Sequence, residues 1–307
     1  MRNLLALALL LPAAASAQSG APFLVEQTGA RYASLQQAVD SAGGDLTVIV
    51  APGRYRDCAV VAVPRFTLRA AEPGTATFDG GACEGKATLV LKGGRALIDG
   101  LVFQNVRVAD RNGAGIRLER GDLHVRETMF RNSEQGILTA SDPAGRILVE
   151  WSTFSGLGGC PDGMCSHSIY VGDYGALTVR NSRFEAGTGG HYVKSRAPLI
   201  EVTDSSFDDS RGRDTNYMID MPHGARGTIA GNRFVQGKGK ENRSAFIIIA
   251  GEGAKQPTDL RLSRNDAGFA PGVPWPSAFV ATLDRDARVT IDPDNKLDRR
   301  LERYQVR

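Results

Sequence analysis

The phrase LTVRNSRF, residues 177–184, decides how this chain is read, because close variants of it recur along most of its length. They are ALIDGLVF at 96–103, LHVRETMF at 123–130, ILVEWSTF at 147–154, IEVTDSSF at 200–207 and GTIAGNRF at 227–234. Each ends on phenylalanine, so that Phe103, Phe130, Phe154, Phe184, Phe207 and Phe234 follow one another every 23 to 30 residues. Five positions before each stands Ile98, Val125, Val149, Val179, Val202 or Ile229, with mostly polar residues such as His124, Arg126, Glu150, Arg180 and Thr203 between the apolar ones. Alternation of period two marks a strand with one buried face. A strand this short cannot bury its face alone, so the repeats must stack around a shared core with the phenylalanines in an internal column.

A second strand follows each phenylalanine after a turn of variable length. It reads IRLE from Ile116, ILTA from Ile137, IYVG from Ile169, VKSR from Val193, YMID from Tyr217 and FIII from Phe246. The variable loops lie at matching points of each coil and collect on one side, where loops on a rigid scaffold build binding surfaces. The expected fold is all-β, a single-stranded right-handed parallel β-helix. Upstream, Ser34 to Ala42 reads as a helix with Leu35, Ala38, Val39 and Ala42 on one face, placed to cap the open first coil. A strand over 46–50 and the turn Ala51-Pro52-Gly53 follow it.

The outer boundaries come from composition. Residues 1–17 have the anatomy of a secretory signal, with Arg2, the apolar run Leu4 to Leu11 and the cleavage site Ala15-Ser16-Ala17. The division expected is a signal peptide at 1–17, an N-terminal cap at 18–57, the β-helix at 58–283 and a C-terminal cap or tail at 284–307. Nothing after the signal is long and apolar enough to span a membrane. The mature chain is therefore expected in the periplasm or secreted, as a monomer. With 37 basic against 34 acidic side chains there is no electrostatic case for nucleic acid. Four cysteines in an exported chain favour disulfides. Cys58 with Cys83, one repeat apart, and Cys160 with Cys165 are the expected pairs, with zinc the rival reading.

The opening SLQQAVDSAGGDLTVIVAPGRYRD, together with the coils, resembles the pectin-lyase-like superfamily of right-handed parallel β-helix proteins over about residues 30 to 270. The resemblance implies the fold and leaves the activity open, because its members include lyases, uronate epimerases, polygalacturonases, esterases and non-catalytic surface proteins. Gly190-His191 and Lys194-Ser195-Arg196 look superficially like polygalacturonase motifs, but no Asn-Thr-Asp precedes them. The Asp-rich strand of the esterases is also missing. Lyases and epimerases place Lys, Arg, His or Tyr on the outer face of one sheet, and that pattern is present.

The phrases SHSIYVG, GGHYVKSRA and NYMIDMPHG carry it, holding three of the four histidines in consecutive coils. Ile169, Val193 and Tyr217 are aligned as inward positions, as are Val171, Ser195 and Ile219. Tyr170, Lys194, Arg196, Met218 and Asp220 then face outward, with Tyr170 beside Lys194 and Arg196 beside Asp220. His167 and His191 border the patch. Elimination from a uronate polymer needs a base beside the carboxylate, positive charge for the enolate and an acid for the leaving oxygen. Lys194 or His191 is the candidate base, Arg196 the carboxylate partner, and Tyr170 or His167 the acid. Asp220, His223 and Arg213 are candidate substrate contacts, with a solvated loop the plainer account of Arg213. Asp220 either orients Arg196 or holds a cation; no metal site is read from spacing, and calcium is the one cofactor left open. The expected function is β-elimination or C5-epimerisation of an acidic polysaccharide. The alternatives are a non-catalytic glycan- or surface-binding β-helix and, last, a glycoside hydrolase, which needs a second carboxylate. A solvated ladder of surface ion pairs, each contributing at most about 1 kcal/mol, is the plain reading of the same residues.

Overall fold

The computed structural model describes residues 20–160, 163 and 165–307, so the signal peptide read at 1–17 lies outside the described residues. Each repeat phrase supplies two strands separated by a sharp corner, and a third strand follows the variable loop. In one coil these are Tyr174–Arg180, Arg183–Glu185 and Val193–Ser195. Each strand pairs in parallel with its counterpart in the next coil: Val179 stands opposite Val202, Phe184 opposite Phe207 and Lys194 opposite Asp220. Repetition builds three long sheets of twelve, ten and ten strands, and the whole is a β-solenoid of about nine turns.

Two columns explain why this sequence stacks in register. Phe78, Phe103, Phe130, Phe154, Phe184, Phe207 and Phe234 lie inside the coil, each at most 1% exposed. Successive rings are nearly parallel, with centroids 4.7 to 5.5 Å apart. That spacing matches the separation of neighbouring strands, so one ring per coil fills the core without a gap. Phe78 extends the column one coil beyond the phrases that reveal it. The second column lies at the corner. There Ser152, Ser182 and Ser205 accept the backbone N–H of Thr128, Ser152 and Ser182, and Asn232, Asn265 and Asn295 accept those of Ser205, Asn232 and Asn265. Corner backbone groups have no strand partner, and this ladder supplies one. The residue that turns the corner has positive φ at Glu127, Trp151, Asn181, Asp204 and Arg264.

The ends are finished differently. The helix Leu35–Asp40 is capped by Ser34, whose side chain accepts the N–H of Gln37, and it buries Leu35, Ala38 and Val39. The strand Phe23–Val25 runs antiparallel to Leu46–Val50 and sets Phe23 at the foot of the aromatic column. At the other end, Arg288–Ile291, Lys296–Leu297 and Leu301–Val306 add one strand to each sheet, so coiling continues past residue 283. Disulfides join Cys58 to Cys83 and Cys160 to Cys165, as expected. These bonds consume the sulfurs that a zinc site would have needed.

Candidate functional site

The site grows from one row of the third sheet. Ile169, Val193 and Ile219 stand in register and are fully buried. The residues that follow them, Tyr170, Lys194 and Asp220, form an outward row across three coils. Two details differ from the sequence reading. Asp220 stands opposite Lys194, two residues from the position beside Arg196. Tyr217 lies among the outer rings, whereas Met218, expected outside, is buried in the core. The cause is a bend where the chain enters the sheet: the third strand starts only at Ile219, so alternation cannot be carried back through 216–218.

Beside the row runs a column of rings. His167 stacks on His191 with centroids 4.9 Å apart, and His191 stacks on Tyr217 at 5.6 Å, while Tyr170 meets His167 edge-on. Glycine permits this proximity. A Cβ at Gly190, where φ is +62°, would lie 2.0 Å from the Ser166 carbonyl oxygen and 2.7 Å from His167 Nδ1. The coils therefore approach closely enough for the backbone N–H of His191 to donate to His167 Nδ1 at 3.0 Å. That bond makes Nδ1 an acceptor and puts the remaining ring proton on Nε2. Burial, followed by the charges of Lys194 and Arg196, pushes His167 down to about 3. Burial also holds His191 well below its ordinary value, and His191 Nδ1 has no hydrogen-bond partner. Both imidazoles are neutral at neutral pH.

The charged groups converge in front of these rings. Asp220 Oδ2 lies 3.3 Å from His191 Nε2 and 3.6 Å from Lys194 Nζ. Burial raises Asp220 to about 6 against the opposing pull of Lys194. Lys194 donates to Glu252 Oε1 at 2.7 Å. Arg196 donates through Nη2 to both oxygens of Glu252, at 2.9 and 2.6 Å, and through Nη1 to the Tyr170 hydroxyl at 2.6 Å. The guanidinium also lies over the Tyr170 ring, 5.1 Å from its centroid. Burial disfavours the Glu252 carboxylate, but the bonds from Lys194 and Arg196 overcome this and hold it down to about 2.

The structure thus brings together Tyr170, His167, His191, Lys194, Arg196 and Asp220. His223 is buried at the margin, 3.8 Å from Glu252 and 3.9 Å from Asp173, with burial lowering its proton affinity. Arg213 is exposed in the lateral strand Arg213–Thr215, which pairs with Gly239–Lys240 outside the three long sheets. Glu252 is absent from the sequence-derived set of residues. It sits in the loop after Ala245–Ile249, and strand alternation says nothing about a loop side chain reaching across a coil. Its flanking Gly251 and Gly253 are the one signal the sequence offers. Behind the site, Asp209 and Lys240 form a buried pair 3.7 Å apart. Thr215 and Tyr192 both donate to the Asp209 carboxylate.

Fold and site together define a right-handed parallel β-helix of the pectin-lyase-like kind, with paired charges, imidazoles and a tyrosine hydroxyl gathered on the outer face of one sheet. Among solved structures, the chain is similar to a pectin methylesterase mutant in complex with a hexasaccharide (TM-score 0.54, 9% identity, 88% of this chain and 92% of that one). It is also similar to the surface protein and adhesin PfbA of Streptococcus pneumoniae (TM-score 0.53, 10% identity, 89% and 94%). An alginate lyase from a Paenibacillus species matches at a TM-score of 0.47 and 14% identity, over 89% of this chain and 95% of that one, a likeness too distant to carry functional weight. No family model and no curated protein matches the sequence.

Proposed function

We propose that this protein acts on a uronate-containing polysaccharide by removing the proton at C5, leading to β-elimination or epimerisation. One observation carries the reading. Three consecutive coils place two cations, a tyrosine hydroxyl and a carboxyl raised to about 6 within contact of one another on one sheet face. Lys194 is paired with two carboxylates, which moves it from candidate base to anion receptor. Arg196 and Lys194 would hold the substrate carboxylate and stabilise the enolate. Asp220, raised by burial to about 6, takes the C5 proton, with neutral His191 behind it. The Tyr170 oxygen already accepts from Arg196, so its own proton is free to pass to the leaving oxygen. In elimination the C5–H electrons form the C4–C5 double bond as the C4–O bond breaks; in epimerisation a proton returns to the opposite face of C5.

A parallel β-helix crystallised with a hexasaccharide supports the suitability of such a scaffold for an extended sugar chain. The two disulfides fit an oxidising compartment outside the cytoplasm, in line with the exported protein expected from the sequence. No helix among the described residues is long and apolar enough to cross a membrane. Binding without turnover is the second reading. It is favoured by the fact that Glu252 already satisfies both Lys194 and Arg196.

The test incubates purified protein with polymers of galacturonate, mannuronate, guluronate and glucuronate. Unsaturated ends are followed by absorbance, and exchange of the C5 proton with solvent deuterium by NMR. Catalysis on one polymer, reduced at least ~100-fold in Asp220→Asn and Tyr170→Phe, is expected, a loss typical of removing a general acid or base. Binding with neither signal would leave the second reading in place.

A further inference from the structure

We propose that Glu252 is a resident occupant of the carboxylate subsite, and that a uronate carboxylate binds by displacing it from Lys194 and Arg196. This inference rests on the proposed acidic-glycan site and adds how that site is kept closed.

The two sides of the contact are unequal. Lys194 and Arg196 project from or beside a central strand, and their side chains are only 13% and 16% exposed. Both are held by further contacts on the face, Lys194 by Asp220 and Arg196 by Tyr170. Glu252 comes from a loop in the coil after Asp220's, and its side chain is 41% exposed. The contacts its carboxylate receives are those a free carboxylate would seek. Two come from one guanidinium nitrogen, a third from an ammonium at 2.7 Å, and His223 Nε2 stands at 3.8 Å. A sugar carboxylate in that place would lie beside Lys194 Nζ, itself 3.6 Å from Asp220 Oδ2.

Release does not require the loop to unfold. The backbone N–H of Glu252 donates to the Pro222 carbonyl at 3.1 Å and that of Lys255 to the His223 carbonyl at 3.1 Å, so the backbone stays anchored. Residues 251–255 are exposed, so Glu252 faces solvent and can turn outward by rotation of its side chain. A ligand that binds only the open state has its affinity lowered by the open fraction, which removal of the internal anion restores.

The experiment measures binding of uronate oligomers of the four sugars by calorimetry to wild type, Glu252→Gln and Arg196→Ala. Displacement predicts that Glu252→Gln binds the preferred oligomer about tenfold more tightly than wild type, in the range of a lost charge-assisted hydrogen bond. It also predicts that Arg196→Ala binds weakly. If wild type binds and Glu252→Gln binds equally or less well, Glu252 is a structural partner and the displacement idea fails while the site stands. If no oligomer binds any of the three proteins, while their melting curves show them folded, the site reading fails and displacement fails with it.

Discussion

His167 and Asp220 belong to one site, yet burial pushes them in opposite senses, and their titrations separate the two. An unfolded imidazole takes up its proton near pH 6.5, whereas folded His167 does so only near 3. Between those limits the unfolded chain binds more protons, so stability rises with pH. His191, also depressed, adds to that slope; Asp220, raised to about 6, opposes it between about pH 4 and 6, where the folded chain holds the extra proton. With three depressed imidazoles, His223 among them, against the one raised carboxyl, melting temperature is expected to fall as pH drops from about 6.5 toward about 4, and to fall less steeply in His167→Gln. An equal slope in the variant would show that His167 is protonated in the folded protein. At this scale the sequence disclosed identities and faces: Lys194 and Asp220 alternate with buried Val193 and Ile219, and parity alone turned them outward. Parity cannot fix an offset of two, so the contact of Asp220 with Lys194 in place of Arg196 was not legible.

The strand phrases were the most legible part of the chain because a buried face and a corner impose two separate periods on them. Phe184 shows both effects. It lies between Phe154 and Phe207, with centroids 4.8 and 4.7 Å away, and is fully buried. Phe184→Ala would open a gap in a column whose rings cannot slide without breaking three sheets of pairing. A loss of about 3–5 kcal/mol is expected in denaturant unfolding. A loss below about 1 kcal/mol would mean that the column relaxes around the gap. The loops were less legible. Nothing in alternation places the 251–256 turn over the row of Tyr170 and Lys194, and its contact with Arg196 depends on reach across a coil rather than on register.

Across the whole molecule, the solenoid turns a one-dimensional repeat into a flat face on which residues 24 to 26 apart become neighbours, as Tyr170, Lys194 and Asp220 do. Most coils place aliphatic or ordinary polar groups there; Ile248 occupies the same row one coil after Asp220. The chemistry is therefore confined to the coils whose phrases depart from the repeat. Those phrases stand out as exceptions in the sequence alone, whereas the loop that brings Glu252 to them does not, because loop length varies from coil to coil. The most direct measurement compares the affinity of a uronate oligomer with that of its methyl ester, for wild type and Arg196→Ala. Recognition of the carboxylate by Lys194 and Arg196 requires the acid to bind wild type at least about tenfold more tightly than the ester, with the difference lost in Arg196→Ala. Equal affinity of acid and ester for wild type would contradict the assignment of this face as a uronate site.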